Sequence, residues 1–123
     1  MTFDALARRT LTLVARLQAE LPDEIRPLAA GVPVHCEEGP DDDVLDQGFE
    51  SDILGLFMGN PHGTEFSHAD PAPPRILLYL ENLWDFAGGD LEAFDEEVRL
   101  TYLHELGHYF GWDEDDLADR GLD

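Results

Sequence analysis

The sequence predicts an α+β fold in a single domain, residues 1–123. Three observations carry this expectation. The chain opens on an amphipathic helical pattern, it ends on a second and longer one, and the strand-like segments lie between them. Helices gathered at the two ends, rather than alternating strand by strand, are the mark of an α+β order. With 123 residues the chain has room for one hydrophobic core, because two halves would each be too small to stay folded without staples.

From Phe3 to Leu21 the apolar positions are Phe3, Leu6, Thr10 through its methyl, Leu13, Val14, Leu17 and Leu21, the spacing of one helix face. Pro22 stops that helix, and "PDEIRPLAAG" reads as a short helix with Pro22 near its first turn and Gly31 at its end. "VPVHCEE" alternates Val32, Val34 and Cys36 against Pro33, His35 and Glu37, as a half-buried strand does, and Pro33 favours an edge position. "GPDDDVLDQGFESD" reads as a solvated surface connection. As a calcium loop starting at Asp41 it would need glycine sixth, where Asp46 stands.

"ILGLFMG" is a strand candidate bounded by Gly59, and "NPHGTEFSHADPAPP" a long loop. "RILLYL" is the strongest strand pattern, followed by "ENLWDFAGGD" as a helical turn or short helix. Asp90 is placed to cap a helix beginning at Leu91, whose early turns carry Glu92, Asp95, Glu96 and Glu97 at the positive end of the dipole. Leu91, Phe94, Val98, Tyr102 and Leu106 form its buried face.

Composition narrows the function classes. Hydrophobic residues are 43%, a globular proportion. The 28 acids face seven bases, all arginines, for a net charge of -21. Such a charge repels phosphates and anionic lipid, so the expected partner is a neutral or basic peptide or protein substrate, with no nucleic acid and no membrane. Mimicry of nucleic acid would use the charge but leaves the motif below unused. No apolar run approaches a membrane span, and Asp4, Arg8 and Arg9 interrupt the start of the chain, so a cytoplasmic location is expected. Cys36 is the lone cysteine, which reads as a small strand residue.

The chemistry concentrates in "HELGHYFGWDEDD", residues 104–116. Residues four apart on a helix differ by about 40° in direction and about 6 Å in height, so the imidazoles of His104 and His108 can reach one ion. Zinc takes neutral histidine nitrogen readily, and a histidine pair on a rigid helix fixes two ligands at little entropic cost. In the His-Glu-x-x-His pattern the glutamate, here Glu105, is placed as general base toward a metal-activated water and as donor to the leaving amine. Gly107 suggests close approach of another backbone, and Gly111 a left-handed helix end, with Trp112 folding back on Leu106. Three residues further, Glu114 is the expected third ligand. Asp113 and Asp115 remain alternatives, and Asp116 could orient a histidine. Two nitrogens and one oxygen suit one Zn2+ per chain first, with iron, cobalt or nickel possible.

At these residues the sequence resembles the small zincin-like bacterial metallopeptidases, which carry His-Glu-x-x-His-x-x-Gly-x-x-Asp near the end of a short chain. Here the pattern is "HELGHYFGWDE", matching His104, Glu105, His108 and Gly111, with Glu114 in the place of the usual aspartate. "LPDEIRPLAAGVPVHCEE", "LGLFMGNP", "RILLYLENLW" and "EEVRLTYLHELGHYFGWDEDDL" follow in the family's order, so the likeness covers nearly the whole chain. The resemblance implies a minimal zincin-like fold: a small mixed β-sheet packed against the N-terminal helix and the motif helix. It also implies a zinc-dependent metallopeptidase.

The expected activity is therefore hydrolysis of peptide bonds, with an extended peptide pairing along "RILLYL" as the upper edge strand. The segment after Glu114 holds no methionine and no tyrosine, so oxyanion stabilisation is expected from Tyr79, His62, His68, Asn82 or Arg75. The alternative is a non-catalytic, zinc-stabilised module that binds a peptide or protein. In that case His62 or His68 would close the metal's fourth position.

Overall fold

The computed structural model of the protein describes residues 1–63 and 73–122. Helix α1 (Phe3–Ala19) is followed by the short α2 (Arg26–Ala30), strand β1 (Val34–Glu37), the one-turn α3 (Asp42–Asp46) and strand β2 (Gly55–Met58). Then come β3 (Arg75–Tyr79), α4 (Leu80–Phe86), the long α5 (Leu91–Phe110) and α6 (Glu114–Asp119). The fold is mixed α/β, as expected, with one small sheet of order β1-β3-β2. β1 runs parallel to β3, and β2 antiparallel to it.

The centre of the sheet is β3. Its register sets Ile76 beside Val34 and Phe57, and Leu78 beside Cys36 and Gly55. Side chains alternate across a strand, so these residues share one face. There they join Leu6, Val14 and Leu17 of α1 and Phe94, Val98, Tyr102 and Leu106 of α5 in the main core. The predicted apolar stripes of both long helices are thus the core faces, except that Leu91 is only partly buried. Thr2 caps α1 by accepting from the amide of Ala5 at 3.1 Å, and Asp90 caps α5 by accepting from Ala93 at 2.8 Å. The guanidinium of Arg9 grips both oxygens of Asp95 at 2.7 Å, tying α1 to α5.

Four expectations need correction. The stretch "RILLYL" is no edge: β3 is paired on both sides, and the edges are β1 and β2. Its unbroken apolar run is what a central strand requires, since both of its faces are buried. Leu80 already belongs to α4. The acid run after Pro40 is partly helical, because Asp41 accepts from the amide of Val44 at 3.0 Å and starts α3; capping acids and a solvated charge run look alike in sequence. Pro22 lies ahead of α2, whose early proline is Pro27. Among the described residues no helix is long and apolar enough to cross a membrane.

Candidate metal centre

Helix α5 presents His104 and His108 on its exposed side, one turn apart, and Glu105 on its buried side. The two imidazole Nε2 atoms are 3.1 Å apart, with the rings nearly perpendicular at 80°. A tetrahedral zinc with bonds of about 2.0–2.1 Å would hold two nitrogens roughly 3.4 Å apart, so the pair fits such an ion with a shift of a few tenths of an ångström. The donor atoms of His104, Glu105 and His108 all lie within 4.8 Å of one another, so these three residues could hold a metal.

Glu105 is fixed from across the fold. Its Oε1 accepts a hydrogen bond from the backbone amide of Phe57 at 3.0 Å. Among the described residues β2 pairs with β3 alone, and that amide points out of the sheet's edge toward α5. The close approach depends on Gly55. A Cβ there would stand 2.6 Å from Cγ2 of Thr101 and 3.1 Å from the carbonyl oxygen of Leu77. Burial pushes the Glu105 carboxyl above its usual range, and His108, His104 and the Phe57 amide pull the other way.

The helix ends as the glycine predicts. Gly111 has φ 75°, and its amide donates to His108 while that of Trp112 donates to Gly107 at 2.8 Å. These paired bonds are those of a Schellman cap. The aromatic contact of Trp112 is with Phe110, stacked at 4.7 Å, and Arg120 lies 4.1 Å over its ring. What lies nearest Gly107 is a side chain: a Cβ there would sit 3.3 Å from Leu117 of α6.

The acids after Gly111 separate by role. Asp113 accepts from the amide of Asp116 at 2.8 Å, and Asp116 accepts from that of Asp113 at 3.1 Å, so the two form a reciprocal cap on α6. Glu114 is the first residue of α6 and lines the same cavity as His104 and Glu105, though it lies outside the tight cluster of three. Asp115 is exposed. A family model for the zincin-like metallopeptidases matches residues 29–122. The chain belongs to that family. No curated protein matches it.

In this member of the family most of the expected oxyanion donors are engaged elsewhere. Tyr79 is buried, on the face of β3 opposite Ile76 and Leu78, and its hydroxyl meets no hydrogen-bond partner among the described residues. The amide of Asn82 donates to the carbonyls of Ser51 and Ile53, both at 2.9 Å, and so braces the segment leading into β2. Arg75 reaches Sδ of Met58 at 3.6 Å. His62 is bound to the motif helix: its amide donates to the carbonyl of Tyr109 at 2.7 Å, and its Nδ1 is 3.3 Å from the Tyr109 hydroxyl. His68 lies outside the described residues. Sequence reasoning missed Phe57 and weighed Asn82 only as an oxyanion donor, because each acts through a partner distant in sequence; the glycine at 55 was a local sign of the close approach of β2 to α5.

Proposed function

We propose that the protein is a zinc-dependent peptidase that hydrolyses neutral or basic cytoplasmic peptides. The observation that carries the reading is the 3.1 Å pair of Nε2 atoms beside a buried glutamate on the wall of a cavity. His104 and His108 would hold one zinc ion, with Glu114 as third ligand, supported by its place on the cavity wall and by the capping duty of Asp113. Zinc, when bound, supplies a Lewis acid that brings the pKa of a water towards about 7 and polarises a carbonyl.

The chain's own groups do the rest. The amide of Phe57 holds Oε1 of Glu105, which leaves Oε2 to take the proton of the attacking water and later return it to the leaving amine. The outer side of β2 is the edge nearest these groups, and an extended peptide pairing there would lie alongside Glu105. The net charge of -21 favours basic or neutral segments. A structural zinc would need a fourth protein donor, and the engagement of His62 with Tyr109 speaks against it in that role. Incubating the zinc-supplied protein with a peptide library, with Glu105→Gln as the blank, tests the reading: new peptide ends only in the unsubstituted protein support it, and identical spectra reject it.

A further inference from the structure

The sheet has a second face, turned away from α5. Arg75, Leu77 and Tyr79 of β3 share it, and the register brings Glu37 of β1 and Met58 of β2 to the same side. Leu77 and Val44 of α3, both buried, line a cavity of about 530 Å³ on this face. Charge is sorted along it. Arg75 stands at one end, its guanidinium 3.6 Å from the sulfur of Met58. No carboxylate of the described residues pairs with Arg75, although Glu37, Asp41, Asp43 and Asp46 line the same cavity. For Glu37 the register gives the reason: it lies opposite Tyr79, four residues along β3 from Arg75, roughly 13 Å away at about 3.3 Å per residue.

The acidic end also holds an unmet polar group. Tyr79 is 1% exposed, and its hydroxyl has no hydrogen-bond partner among the described residues. Burial, then the charges of Asp41, Glu37 and last Glu105, push that hydroxyl up, while Arg75 pulls it down. The phenol therefore keeps its proton beside the two acids of the cavity, and a buried hydroxyl left without a partner is costly.

We infer that this cavity binds a short peptide with both ends free, its terminal ammonium at Glu37 and Asp41 and its terminal carboxylate at Arg75. The inference goes beyond the peptidase reading and stands whether or not the chain hydrolyses peptides. The sorted charges favour this ligand over its rivals. A metal ion needs converging donors, and among the described residues only His104, Glu105 and His108 form such a cluster. A simple cation is repelled by Arg75 and a simple anion by the acids, whereas a ligand carrying both charges satisfies both ends. A single amino acid is too short for the span. An extended tripeptide reaches about 10 Å, and the side chains of Arg75 and Glu37 cover the remainder. Between the ends, Leu77 and Val44 offer an apolar floor to small side chains.

The test follows backbone amide chemical shifts of the zinc-supplied Glu105→Gln protein, which binds without turnover. Trialanine with free ends, its N-acetyl form, its C-terminal amide and spermidine are titrated in turn. Free trialanine is expected to saturate shifts at residues 35–37, 41–47 and 75–79 with a dissociation constant on the order of 1 mM, and blocking either end should weaken it at least about tenfold. Arg75 and Glu37 are exposed, so each can be neutralised without opening the core. Arg75→Gln should make the free peptide and the amide bind alike, and Glu37→Gln should shrink the effect of acetylation. No saturable shifts, equal binding whatever the state of the ends, shifts confined to the motif helix, or spermidine and the amide binding as well as free trialanine would overturn the site. Cleavage of longer peptides by the unsubstituted protein is read separately. End-dependent binding without cleavage keeps this site and removes the hydrolase; cleavage without such binding does the reverse.

Discussion

The backbone amide of Phe57 on β2 donates to Oε1 of Glu105 on α5, 3.0 Å away and 48 residues along the chain. This bond leaves Glu105 one carboxylate oxygen for proton transfer while its neighbours His104 and His108 face outward. Replacing Glu105 with Gln should therefore keep the amide contact and the metal but lower peptide hydrolysis by about 10²–10⁴-fold. Metal content and cleavage rate measured on the same preparation check both halves, and retained cleavage would remove Glu105 from the mechanism.

Gly55 permits that bond by letting β2 approach α5. Gly55→Ala sets a methyl 2.6 Å from Cγ2 of Thr101, and such overpacking is expected to cost about 1–3 kcal/mol, read from the shift of a urea midpoint. Thr101→Ser deletes Cγ2, so the double variant should recover much of the loss. A purely additive pair would place the strain elsewhere.

Asn82 is expected to act on stability and on the cavity wall, since its amide satisfies two carbonyls of the segment before β2. Asn82→Ala should cost about 1–3 kcal/mol through those orphaned groups. Hydrogen exchange should quicken at residues 51–55 ahead of the rest of the sheet, and uniform exchange would contradict the brace.

Burial, with the charge of Glu37 adding, pushes the Cys36 thiol from 9.0 to about 11. At pH 8 its alkylation by iodoacetamide should then be ~100-fold slower in the native protein than in urea. The raised value means that the unfolded chain releases the proton first, so this group's contribution to stability is complete below pH 9 and declines as pH rises toward 11. Equal alkylation rates in native and denatured protein would show an open thiol.

Local pattern made much of this molecule legible. The 3.6-residue period gave α1 and α5, Asp90 and Gly111 marked the ends of α5, and a spacing of four placed His104 and His108 together without knowledge of the rest of the fold. What stayed hidden was set by pairing between distant segments. An apolar run does not say whether a strand lies at the centre of a sheet or at its edge, so β3 was expected at the edge and the role of β2 passed unseen. The glycine at 107 announced a near neighbour, but only the fold shows that it is Leu117. Spacing alone put Glu114 ahead of Asp113 and Asp115 as a ligand, and only the fold shows that Asp113 is engaged with Asp116 in a reciprocal cap.

Zinc binding by His104 and His108 is the step on which the proposed activity depends. Elemental analysis of the purified protein, beside a His104→Ala, His108→Ala double variant whose fold is checked by circular dichroism, tests it most directly. One zinc per chain is expected, lost in the folded double variant. No zinc in the unsubstituted protein after equilibration with the ion at neutral pH, or the same content in both proteins, would contradict it.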